Sequence, residues 1–288
     1  LMLGFCALAP IGDAIAKVLG STMPLGELLV VRFAVQAVIL APFVFLTRRV
    51  WRISGRLFSI ILLRTVLHII GIGAMFTALW YLPLADAVAI AFVMPFIMLL
   101  LGKFFLNEEV GTHRIAACVV GFIGTLLVIQ PTFANVGWPA LLPLVVAVVF
   151  ALFMLVTRTV AKEVDAMNLQ AQSGVIATIL LGLLLVASGG SQVEMLQLVW
   201  PSPSEWWLLA AIGTLGTVAH LLMTWSLRFA PSATLAPMQY LEIPMATIIG
   251  FLIFKDFPNG LAAIGIAITI GAGLYVIFRE QNLARKPA

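Results

Sequence analysis

The chain has 288 residues, of which 62% are hydrophobic and only 10% charged, with a net charge of +4. Soluble domains average roughly a quarter charged residues, so this composition excludes an ordinary soluble fold. Continuous helix-length apolar runs exclude the short alternating strands of an outer-membrane barrel. The basic excess then reports orientation in a bilayer, not nucleic-acid binding. Cys6 and Cys118 lie in apolar runs and read as buried thiols. No cleavable signal peptide is recognisable. The chain opens without Met inside an apolar run, which predicts a few residues before Leu1.

Ten runs of about 20 residues emerge, at roughly 2–20, 26–46, 57–79, 84–105, 113–130, 138–158, 167–188, 206–227, 232–254 and 260–278. Pro83 and Pro231 split runs that hydropathy alone would fuse. In the first run Asp13 and Lys17 stand one turn apart, which predicts an ion pair at a cavity wall or a structural pair. In the second run Arg32 and Gln36 share a face, and Glu27 is placed to reach toward that side. Arg32 is too deep for lipid and should face protein or water. Arg64 and His68 repeat the spacing in the third run. Arg64 is placed to snorkel to the surface. His68 lies deeper and is a candidate proton carrier, although a lone buried histidine is more often structural.

The fourth run opens at Asp86, expected to cap its helix, with Ser232 doing the same in the ninth. Gly121-x-x-Gly124 and Gly213-x-x-Gly216 predict close helix approach. Phe76, Trp80, Tyr81, Trp225 and Tyr240 offer flat surfaces for a heterocyclic substrate, or else lipid-facing filler. His220 in the eighth run has the status of His68.

The ninth run carries the sharpest signal, Gln239-Tyr240-Leu241-Glu242-Ile243-Pro244. A carboxylate at bilayer mid-depth is expensive and marks a polar cavity or pathway, or a salt bridge inside the bundle. Pro244 removes a backbone donor and weakens the preceding turn. Backbone groups freed at that depth need protein or water to satisfy them. Burial favours the neutral acid and a nearby cation favours the carboxylate; the sequence leaves that choice open.

Basic residues fix the orientation. Arg48, Arg49, Arg52, Arg56, Lys103, His113, Arg114, Arg158, Lys162, Arg228, Arg279, Arg285 and Lys286 fall on one side if ten helices alternate, and only Lys255 falls on the other. This predicts cytoplasmic N- and C-termini. Trp80, Tyr81, Trp138, Trp200, Trp206 and Trp207 then mark the outer interface.

The halves echo one another. Pro95 precedes Glu108 by 13 residues and Pro244 precedes Asp256 by 12. Lys17 and Glu27 match Arg158 and Asn168. Five helices per half invert the second copy, a basis for alternating access. No phosphate-binding loop, His-Glu-x-x-His or Gly-x-Ser-x-Gly motif is present, and the three histidines and two cysteines form no recognisable metal set. No enzyme, metal, cofactor or nucleic acid is therefore expected, and transport would be secondary.

Leu82-Pro83-Leu84-Ala85-Asp86-Ala87, Pro95, Phe104-Phe105-Leu106-Asn107-Glu108-Glu109, Val120-Gly121-Phe122-Ile123-Gly124 and Leu241-Glu242-Ile243-Pro244 through Phe254-Lys255-Asp256 resemble the drug/metabolite transporter superfamily, in its EamA-like ten-helix branch. The resemblance covers nearly the whole chain. It implies an all-α polytopic protein of two inverted five-helix repeats, 1–131 and 138–279, with a tail at 280–288. It implies a cavity lined by helices 1, 3, 4, 6, 8 and 9, and a bacterial inner-membrane location. Family substrates are small polar metabolites: amino acids, riboflavin, S-adenosylmethionine, purines or sugars. Asp13, Lys17 and Val31-Arg32-Phe33 look most like the riboflavin or S-adenosylmethionine uptake branch. Substrate-binding or coupling candidates are Asp13, Lys17, Arg32, His68, Trp80, Trp225, Gln239, Tyr240 and Glu242; helix-break or gating candidates are Pro95 and Pro244. Partners are the substrate and membrane lipids, with proton coupling or exchange open and a monomer or homodimer expected. The alternative is a non-transporting structural or lipid-binding membrane protein, which a closed bundle with no central cavity would favour.

Overall fold

A computed structural model describes residues 1–47, 55–107, 111–188 and 193–284. Arg48, Arg49, Arg52, Glu108, Glu109, Arg285 and Lys286 lie outside them. The described secondary structure is helical: α1 Met2–Leu19, α2 Leu25–Leu46, α3 Gly55–Tyr81, α4 Leu84–Ala91, α5 Met94–Phe105, α6 Thr112–Val136, α7 Leu142–Val160, α8 Ala166–Ala187, α9 Pro203–Phe229, α10 Ser232–Leu235, α11 Glu242–Phe254 and α12 Gly260–Ala284. Among the described residues eight helical segments are long and apolar enough to cross a membrane, with shorter apolar helices at Met238–Phe254 and Gly260–Tyr275. The last helix continues to Ala284, into the stretch expected as tail.

The two prolines singled out from sequence each follow a break. Phe92 and Val93 tighten the turn between α4 and α5, and Pro95 is the second residue of α5. Ala236–Leu241 winds as a 3-10 helix, and Pro244 is the third residue of α11. In the first turn of a helix the missing proline N–H has no intrahelical acceptor to lose. The break therefore precedes the proline. Asp86 does not cap α4; Pro83 occupies that position, and Asp86 Oδ2 accepts a hydrogen bond from Thr132 of α6 at 2.9 Å. Pro231 likewise precedes Ser232 as the cap residue of α10.

Contacts between the halves come in exchanged pairs. Helix α1 packs on α9 as α7 packs on α3, α2 on α9 as α8 on α3, and α1 on α11 as α7 on α5. The pairs α2–α8 and α6–α12 join like to like. At the α6–α12 seam a Cβ on Gly124 would lie 2.6 Å from the Gly265 carbonyl oxygen, so only glycine allows this approach. The outer surface carries large exposed apolar side chains such as Val38, Leu183, Val186 and Leu252. Exposed Trp138, Trp200 and Trp207 mark helix ends, as interfacial aromatics do.

Candidate functional site

A central cavity with about 90 Å³ open to the centres of water-sized molecules, and an open mouth, lies between α1, α2, α3, α4, α5, α7, α9 and α11. Its walls are mostly apolar. Phe5, Phe76, Phe92 and Phe150 supply rings, and Met75 and Met94 supply adaptable thioethers. Four polar side chains face it: Asp13, Arg32, His220 and Glu242. The helices implied by the resemblance all contribute, and α2 adds Arg32.

Local structure explains how each polar group gets there. Glu242 is the first residue of α11, immediately after the 3-10 stretch, so a carboxylate meets the partial positive end of a helix inside the bundle. Helix α5 also begins at the cavity, at Met94. Both broken runs thus direct a helix start to the same space, as transporter sites built on discontinuous helices do. Asp13 lies nearly two turns before the end of α1.

Arg32 is 3% exposed. Gly216 makes room for it, since a Cβ there would lie 2.8 Å from Arg32 Nη2. The guanidinium rests over the Phe33 ring, 4.9 Å from its centroid. His220 Nδ1 lies 2.9 Å from the Gly216 carbonyl and 3.4 Å from Arg32 Nη2. A carbonyl only accepts, so Nδ1 is the donor to Gly216 and the arginine contact is not a second full bond. That leaves His220 Nε2 and Arg32 Nη1, both buried and without a partner among the described residues. Buried polar atoms carry a cost unless a ligand or water completes them.

Several expectations change. Asp13 and Lys17 do not pair. Lys17 Nζ meets Asp256 Oδ2 at 3.1 Å and donates to the Leu82 carbonyl at 3.0 Å, away from the cavity lining. One turn of helix puts two side chains on one face, but the longer lysine reaches past the end of α1. Arg64 does not snorkel. It is fully buried, donates to Thr157 Oγ1 and Ser173 Oγ at 2.8 Å each, and lies 4.5 Å over Phe153. His68 sits behind His220 at 4.4 Å between ring centroids, and stacks on Phe153 at 4.5 Å, outside the cavity lining.

Trp80 covers Gly20 at the end of α1, and Trp225 packs with Leu40 and Ala171. Gln239 donates to Met154 Sδ at 3.1 Å. Tyr240 is buried against Gly121 and beneath Phe92. None of these four lines the cavity. Glu27 accepts from the Val199 backbone N–H at 2.9 Å and pins the segment before α9, and Gln36 donates to the Gln170 carbonyl at 2.7 Å. Sequence reasoning missed Phe5, Phe92 and Phe150, because a phenylalanine in an apolar helix carries no signal of which way it faces.

Residues 1–130 and again 137–279 match the EamA-like transporter family. A riboflavin transporter of Rhizobium johnstonii is 30% identical over 227 residues, 79% of this chain and 72% of that one. An S-adenosylmethionine uptake transporter of Rickettsia felis is 27% identical over 277 residues, 95% of this chain and 90% of that one. A crystal structure superposes with a TM-score of 0.73 at 20% identity, covering 98% of this chain and 97% of that one, a likeness of fold.

Proposed function

We propose a substrate class and a route for this chain, which belongs to the EamA-like transporter family and is a multi-pass membrane transporter, not an enzyme. The substrate is a small polar, partly aromatic metabolite of the riboflavin or S-adenosylmethionine kind, with nucleobases and amino-acid-like compounds next in line. It crosses the bacterial inner membrane by alternating access. The halves, 1–131 and 138–279, act as inverted five-helix repeats in a ten-helix topology with cytoplasmic termini.

One observation carries this reading. A cavity walled by phenyl rings holds Asp13, Arg32, His220 and Glu242 in the middle of a bundle whose outside is apolar. Rings accept a flat heterocycle, and the unpartnered donors and acceptors take its polar edge. A closed structural or lipid-binding bundle would instead pair these groups and fill the space. The exchanged contacts between halves, and the two helix starts at the cavity, support a rocking motion about a fixed site.

Direct uptake tests the proposal. Purified protein in liposomes is offered radiolabelled riboflavin, S-adenosylmethionine, adenine and aromatic amino acids, with and without an imposed proton gradient. Accumulation of at least one, abolished by excess unlabelled compound, is expected. No accumulation of any, in either gradient and from either side, overturns the substrate class.

A further inference from the structure

We propose that Lys17 and Asp256 form a latch that shuts the cavity at the end of the bundle where α1 finishes, with Arg158 in the corresponding place at the other end. The proposal rests on the transporter reading above and assigns it a gate.

Lys17 gathers three separate parts of the chain. It lies in the last turn of α1, its Nζ meets Asp256 Oδ2 at 3.1 Å, it donates to the Leu82 carbonyl at 3.0 Å, and it sits 4.7 Å over the Phe254 ring. Asp256 follows α11, and Leu82 is in the turn between α3 and α4. Each joined element also lines the cavity: α1 through Asp13, α4 through Val88 and α11 through Glu242. The lysine therefore spans the ends of three walls.

The pair is built to open. Its side chains are 20% and 36% exposed, so water can take over both charges when they separate. Such a pair is worth little net free energy, unlike a dry buried pair that would be held shut. The chain is delivered to Lys17 by Lys255, a non-glycine residue in the left-handed region at φ 60°. That conformation is sparsely populated and is found where surrounding structure imposes it.

The second half repeats the arrangement. Arg158, in the last turn of α7, donates to the carbonyls of Leu227 and Arg228 at the end of α9. Lys17 stands to the end of α3 as Arg158 stands to the end of α9. With five crossings per half, the two cations fall at opposite ends of the bundle. Alternating access then asks one to release while the other holds.

The first arm of the experiment reads accessibility and needs no known substrate; the second reads uptake. In a background of Cys6→Ala and Cys118→Ala, a cavity cysteine is placed by Ala9→Cys and labelled in right-side-out vesicles with a membrane-impermeant maleimide. A separate Asn259→Cys variant first establishes which face carries the latch. Asp256→Asn is expected to raise the Ala9→Cys labelling rate about two- to fivefold, the size of losing a partly exposed ion pair. The swap Lys17→Asp/Asp256→Lys is expected to return it to the parent rate. Without Ala9→Cys, the pair Lys17→Cys/Asp256→Cys is oxidised, and uptake of whichever probe the liposomes accumulate should stop and recover with reductant. An Asp256→Asn rate equal to the parent, or equal uptake before and after crosslinking, overturns the latch. Uptake that persists while labelling is unchanged sinks the latch alone. Altered labelling without uptake of any probe sinks the substrate reading and leaves the latch standing.

Discussion

Gly216→Ala is the smallest change that tests whether Arg32 binds substrate. The added Cβ would lie 2.8 Å from Arg32 Nη2, 3.0 Å from Nε and 3.1 Å from Cζ. Ordinary carbon contacts begin near 3.5 Å, so the whole guanidinium plane must retreat by about 0.7 Å or rotate. Its stem is held by the buried packing of α2 against α9, so the head group moves off its seat over Phe33. The hydrogen bond that Arg32 offers a bound anion or carbonyl is then misaligned. Bonds to charged groups are worth about 1.5–3 kcal/mol, which is a loss of roughly 10- to 150-fold in affinity. Overpacking itself costs about 1–3 kcal/mol of stability. Gly182→Ala is the control, because nothing lies within 4 Å of a Cβ there. Ligand-induced thermal shifts are titrated with riboflavin and S-adenosylmethionine against both variants and the parent. If Gly216→Ala binds its ligand as tightly as Gly182→Ala, Arg32 does not touch substrate and the assignment of this site is wrong.

Other outcomes follow from the same geometry. Arg64→Ala removes two charge-assisted bonds, to Thr157 and Ser173; it should cost about 3 kcal/mol or more of stability, read by detergent melting, with ligand affinity retained in what folds. Thr132→Val takes the donor from buried Asp86 and should cost about 1–3 kcal/mol, and the loss should vanish in an Asp86→Ala background if that bond is the cause. Glu242→Gln keeps the shape and removes the charge; near-normal membrane levels with reduced flux, or a flattened rate profile between about pH 5.5 and 8, are expected, and unchanged flux across that range would leave Glu242 structural.

Much of the fold was legible because lipid and proline leave loud signals. An apolar run of helix length in a chain this poor in charge has few other readings, and the breaks before Pro95 and Pro244 follow from the missing N–H. The depth of Arg32 and Glu242 was legible for the same reason, since a charge in the middle of an apolar run must face something polar. Direction around a helix was not. Asp13 and Lys17 share a face in sequence, yet only the shorter side chain stays at the cavity, while the longer one bridges to Asp256. Arg64 lies near enough to a helix end to suggest snorkelling, but Thr157 and Ser173 offered oxygens inside the bundle. Those acceptors come from α7 and α8, far away in sequence. Trp80 and Trp225 were attractive as stacking surfaces, but they pack on Gly20 and on Leu40 with Ala171.

The two buried arginines show how one repeated architecture separates scaffold from site. Arg32 leaves α2 at its interface with α9, and Arg64 leaves α3 at its interface with α8; these interfaces exchange when the halves exchange. Arg64 meets two hydroxyls and a ring, and only Nη2 is left unpaired. Arg32 meets a glycine, a phenylalanine and a histidine whose Nδ1 proton is already committed to the Gly216 carbonyl. A cation so poorly served is costly in an apolar bundle unless a ligand, water or the carboxylates of the cavity complete it. Asp13 and Glu242 line the same cavity, on α1 and α11, the two helices that Lys17 joins at their ends. Opening the latch would therefore move the acids relative to Arg32, coupling the width of the mouth to how well a substrate is held.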